Sequence, residues 1–176
     1  WILALSTIGI VYGALTAFAQ RDIKRLIAYS SVSHLGFCML GIFTLNALGL
    51  HGGLLQMINH GLATGGLFAV VGMIYERYHT RKIESFGGLA RKLPVLAFFM
   101  FVLTFSSIGL PGLNGFAGEF LVLVGMFQRA WHVGGWEWGF AVAGTLGVVL
   151  GAWYMLTLVG RVFFGALREP PSESVA

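Results

Sequence analysis

Apolar residues gather along this chain into five long blocks separated by short polar clusters, at residues 2–20, 26–46, 53–75, 94–127 and 139–164. About 20 helical residues cross the roughly 30 Å hydrocarbon core of a bilayer, and every block reaches that length. The pattern predicts an all-α integral membrane fold with five transmembrane helices.

The fourth block does not fit one straight crossing. Its 34 residues would make a helix of roughly 51 Å. Near its middle lies Gly-Leu-Pro-Gly-Leu-Asn-Gly, in which Gly109, Gly112 and Gly115 surround Pro111. Proline removes a backbone donor and clashes with the preceding turn, and glycine relaxes the backbone. The fourth helix is therefore expected to be discontinuous between Gly109 and Gly115, as two half-helices joined by an unwound link. Glu119 follows four residues later, the only acidic residue inside any of the blocks.

Composition agrees with a membrane chain: 57% of the 176 residues are hydrophobic and 10% charged, where soluble domains carry roughly 25% charged residues. Mean hydropathy is +0.82. The first residue, Trp1, already stands in an apolar run, with no basic leader or cleavage site, so an internal piece of a longer chain is expected. Cys38 is the single cysteine, which leaves no internal disulfide and no metal-ligand spacing.

The formal charge of +4 is modest and placed by topology, which excludes a nucleic-acid binder. With five crossings, ten of the eleven lysines and arginines fall on one side and only Arg129 on the other. The positive-inside rule puts the basic side, and the C-terminal end, in the cytoplasm or matrix. Three tryptophans between residues 128 and 138 suit an interfacial belt on the opposite side. The expected domain is residues 1–167, followed at 168–176 by a polar tail or loop.

Candidate chemistry lies where polar side chains enter the blocks. The second block opens with Tyr29, Ser30, Ser31, Ser33 and His34, and Ser30 and His34 share a face at i,i+4. Gln56, His60 and Thr64 step by four along the third block. Histidine carries or relays a proton near neutral pH. An ionised carboxylate at mid-membrane costs about 2.5–3.5 kcal/mol, so Glu119 must be protonated, paired or hydrated. These residues suggest a proton relay through His34 and His60 to Glu119, its path lined by Ser30, Ser33, Gln56, Thr64, Thr104 and Ser107. Two other readings fit the same residues. Carboxylate and hydroxyl oxygens also serve a hard cation. Polar groups, with Gly61, Gly65 and Gly66, also act as glue between helices in a module that transports nothing.

Four stretches, residues 22–34, 56–61, 75–81 and 109–120, resemble the antiporter-like membrane subunits of respiratory complex I, NADH:quinone oxidoreductase. That family shares ancestry with multi-subunit cation/proton antiporters and membrane-bound hydrogenases. A glutamate after Phe-x-Gly is similar to its M type, since sister subunits usually carry lysine there. The resemblance implies a subunit of two inverted five-helix repeats, of which this chain matches the second. It also implies a line of ionisable residues along the mid-membrane plane, onto which His34, His60 and Glu119 map, with Glu119 toward the outer exit. The expected partners are other membrane-arm subunits, lipid, water and protons. NADH, FMN, iron–sulfur clusters and quinone are expected on other subunits, with no cofactor and no metal in this chain. The implied setting is a bacterial inner membrane or an equivalent energy-transducing membrane.

Overall fold

The computed structural model describes residues 1–171, so the last five residues of the expected tail lie outside the described residues. Helices α1 (Ile2–Phe18), α2 (Ile23–Ile42), α3 (Ala47–Tyr78), α4 (Pro94–Ser107), α5 (Asn114–Val133) and α6 (Glu137–Phe163) account for most of them. Two turns of 3-10 helix, Ile83–Ser85 and Leu89–Arg91, stand between α3 and α4. No strand occurs among the described residues.

Local chemistry sets the helix starts. Asp22 accepts a hydrogen bond from the Arg25 amide at 3.0 Å, and Asn46 from the Gly49 amide at 2.8 Å. Both satisfy donors that a helix leaves open at its N-terminus. Pro94 opens α4, where its missing N–H costs nothing. Helix α3 starts six residues before the expected block because Asn46 caps it and its glycines are packing surfaces. A Cβ on Gly52 would lie 2.6 Å from the Val122 amide nitrogen, and one on Gly125 2.5 Å from that of Gly49. Gly61 and Gly65 face open space instead, while Gly66 lies against the Leu103 side chain of α4. Helix α5 runs on to Val133, which makes part of the expected outer loop helical. It ends at Gly134, whose φ of +74° suits glycine.

In the long fourth block the helix stops at Ser107 and restarts at Asn114. Gly115, expected in the link, belongs to the first turn of α5. A Cβ there would collide with the Ser106 carbonyl oxygen, so this glycine brings the two half-helices together instead of unwinding them.

Helix α2 packs between α1 and α3, α3 runs along α5, and α6 closes against α1 and α5. One apolar cluster, including Ile27, Leu67, Ile74 and Phe163, fills the basic end. A second, including Ile10, Leu40, Val122 and Met126, fills the other. His34, Gln56, Ser107 and Glu119 are buried in the layer between them. Leu5, Leu62, Phe98, Leu146 and Trp153 point outward. A polar centre inside an apolar exterior is the arrangement of an integral membrane protein. Helices α3 and α6 are each long and apolar enough to cross a bilayer, while α1 and α4 are apolar but shorter, at 17 and 14 residues.

Candidate functional site

Three helices and the link bring the predicted residues together. Glu119 stands in the second turn of α5 and is 4% exposed. Its Oε1 accepts a hydrogen bond from Gln56 Nε2 of α3 at 3.2 Å. The same oxygen lies 3.4 Å from Nδ1 of His34 on α2. His34 Nε2 meets the Ser107 hydroxyl at the end of α4, 3.3 Å away. The His34 and His60 rings face each other with centroids 4.9 Å apart, and His60 Nδ1 is 3.1 Å from the Thr64 hydroxyl. Thr64, His60, His34 and Glu119 thus form one line across α3, α2 and α5, with Gln56 and Ser107 on its flanks.

The link shapes the carboxylate's surroundings. Gly109 has a φ of +68°, and a Cβ there would lie 2.5 Å from Glu119 Oε2. Gly112 also holds a positive φ, +97°, beside Pro111 in the turn 110–113. Gly118, one residue before Glu119, lies so close to Gln56 that a Cβ would strike its Oε1. Among the buried polar atoms that lack a partner in hydrogen-bond geometry, His34 Nδ1 and Gln56 Oε1 belong to side chains beside Glu119.

The remaining candidates play plainer parts. Ser30 gives its hydroxyl to Ile27 O at 2.7 Å, within its own helix. Ser33 donates to Ile10 O at 2.9 Å, tying α2 to α1. The Thr104 hydroxyl is buried without a partner. Pairing of Asn59 with Asn114 escaped the sequence reading. Asn59 Nδ2 donates to the Asn114 carbonyl at 2.7 Å, Asn114 Nδ2 returns a bond to Asn59 Oδ1 at 3.1 Å, and Ser106 bonds Asn114 Oδ1 at 2.6 Å. An asparagine at membrane depth on α3 and a second beside the proline link were the available signal. At the less basic end Arg129 pairs with Glu137 at 3.1 Å and donates to Thr44 O. Among the described residues no group of three His, Cys, Asp or Glu is placed to hold a metal ion.

Residues 1–164 match the family model for the transmembrane part of NADH:quinone oxidoreductase and Mrp antiporters. NADH-quinone oxidoreductase subunit M of Rhodobacter capsulatus is 47% identical over all of this chain and 33% of its own length. Respiratory complex I from Thermus thermophilus contains a chain 37% identical, with a TM-score of 0.85 over 97% of this chain and 36% of that one. The Mrp complex from a Dietzia species shares the fold, with a TM-score of 0.89 at 22% identity over 97% of this chain and 31% of that one. The chain therefore spans about a third of the length of these relatives, and the family model covers nearly all of the chain. The chain belongs to the NADH:quinone oxidoreductase/Mrp antiporter transmembrane family.

Proposed function

We propose that this chain is the second five-helix repeat of an antiporter-like subunit of NADH:quinone oxidoreductase, and that it moves protons through His60, His34 and Glu119. Residues 1–167 form the repeat, with α4 and α5 together as its broken fourth crossing and residues 168–176 leading away from it. Three supports carry the assignment: the similarity to subunit M, the family model and the apolar exterior. The observation that carries the mechanism is His34, its two nitrogens reaching Glu119 on one side and Ser107 on the other while its ring faces His60.

In this reading a proton on His60 passes to His34 through a short rearrangement of two rings already in contact. From His34 Nδ1 it goes to Glu119 Oε1, leaving His34 neutral and Glu119 protonated. Gln56 holds that oxygen by its amide and keeps the carboxylate facing the histidine. Release from Glu119 toward the less basic side resets the line. Quinone reduction, and the NADH, FMN and iron–sulfur chemistry behind it, belong to other subunits. The relay serves here as the energy-transducing half in a bacterial inner membrane or its equivalent, with the basic side in the cytoplasm or matrix.

The test is the proton-to-electron ratio of the assembled complex in liposomes, wild type against Glu119→Gln. The amide keeps size and hydrogen bonding but carries no exchangeable acid proton. A lower ratio in a fully assembled complex is expected. An unchanged ratio would sink the relay and make Glu119 a packing residue. The Mrp fold match favours one competitor, an antiporter moving Na⁺ or K⁺, and a sodium-dependent flux in the same liposomes would establish it instead.

A further inference from the structure

Three cavities lie end to end along α6. The largest, about 540 Å³, opens at the basic end among Arg21, Glu84, Arg161 and Arg168. The next shares Gln20, Ile83 and Arg161 with it and continues inward past Thr157 to Tyr154. The third contains His34, Ser107, Glu119 and Gly151, and reaches Tyr154 from the opposite side. Each of the two inner cavities has about 10 Å³ of space, the room of a single water. Tyr154 is the residue they share.

The sequence of α6 explains how the row arises. Tyr154, Thr157 and Arg161 are spaced three and four apart and so occupy one face of a helix that is otherwise apolar. The Tyr154 ring is 1% exposed and ranks among the largest fully buried side chains. Ser30, which gives its own hydroxyl to Ile27 O, neighbours the phenol hydroxyl, and no partner meets that hydroxyl in full hydrogen-bond geometry. What the residue supplies at this point is bulk.

We infer that Tyr154 is a septum that seals Glu119 from water on the basic side. This rests on the relay reading, because a pump fails if its proton site equilibrates freely with the side from which protons are drawn. The ring closes the passage that leads inward from the mouth. Glu119 then exchanges protons with His34 and not with that water.

Cysteine accessibility tests the seal in the assembled complex, in membrane vesicles with the basic side outward and Cys38 replaced by alanine. The probe is silver ion, narrow enough to follow a single file of water, and the extent of reaction is read on this chain by mass spectrometry. Thr157→Cys reports the outer compartment. Gly151→Cys reports the inner one, since a Cβ at Gly151 meets only the Tyr154 hydroxyl, at 3.9 Å. With Tyr154 present, Gly151→Cys should react about a hundredfold more slowly than Thr157→Cys. Adding Tyr154→Phe should leave that protection intact, and adding Tyr154→Leu or Tyr154→Ala should bring the two rates within about tenfold.

Equal rates with Tyr154 in place overturn the proposal, as does an unreactive Thr157→Cys. Protection that persists in an assembled Tyr154→Leu or Tyr154→Ala complex overturns it too. Labelling does not depend on turnover, so the septum and the relay fail separately. Tyr154→Phe should also keep the proton-to-electron ratio, while the assembled truncations lower it.

Discussion

Replacing Gly109 with alanine asks for two things that the molecule does not supply. The backbone there has a φ of +68°, and the new methyl would stand 2.5 Å from Glu119 Oε2. The left-handed conformation alone costs about 1–2 kcal/mol for a residue with a Cβ. Moving the carboxylate to relieve the contact would also pull Oε1 from Gln56 and His34. Gly109→Ala should therefore lower both the thermal stability of the assembled complex and its proton-to-electron ratio. A variant that lost stability alone, with full pumping, would show that the carboxylate's position is not set by the link.

The crossing of α3 over α5 governs the same geometry at the next scale. Gly49 and Gly52 on α3 meet Val122 and Gly125 on α5 almost backbone to backbone. That contact fixes the height at which Gln56, one turn further along α3, meets Glu119. Enlarging it, as in Gly125→Ala, should cost about 1–3 kcal/mol through overpacking. It should also spread the Gln56–Glu119 pair. The checks are the yield of assembled complex, its thermal midpoint and its pumping ratio, and a neutral result would mean that the helices separate without strain. Glycine's double meaning is also why only part of this picture was legible from the residues alone. The stretch around Pro111 was legible, because proline and left-handed glycine have few uses inside a helix. Gly49 and Gly52 read as part of a loop, since nothing local separates a turn glycine from one that a distant helix touches. Periodicity singled out His34, Gln56 and His60, and its acidity inside an apolar block singled out Glu119. Their meeting at one point depends on the crossing, while Ser30 bonds within its own helix and Ser33 bonds α1.

Across the whole molecule, the basic end is fastened by backbone and charge. Arg81 O accepts from the Ile23 amide, and the Ile83 amide donates to Arg21 O, both at 2.9 Å. Gly87 and Arg168 exchange two such bonds. Lys92 then meets Glu169 at 2.6 Å, and the Tyr78 hydroxyl donates to the same carboxylate at 2.7 Å. The Lys92 ammonium first, and Tyr78 after it, hold the Glu169 carboxyl below its ordinary range. A depressed carboxyl stabilises the fold above its unfolded value and loses that contribution as pH falls through the folded one. Protection of the amides in residues 79–93, relative to their unfolded exchange rates, should be high at neutral pH and fall only well into the acid range. In Glu169→Gln that protection should be lower at neutral pH and flat toward acid. Equal exchange in both proteins would show that the pair, exposed to screening, holds nothing.

The Gly87–Arg168 clasp also carries a timetable. Its halves lie 81 residues apart in sequence. At translation rates of about 5–20 residues per second, Gly87 leaves the ribosome roughly 4–16 s before Arg168 does. During that interval the segment between α3 and α4 has half of its partners and stays open to chaperones, proteases and neighbouring subunits. Closure waits for α6, so the finished clasp records that α6 is in place.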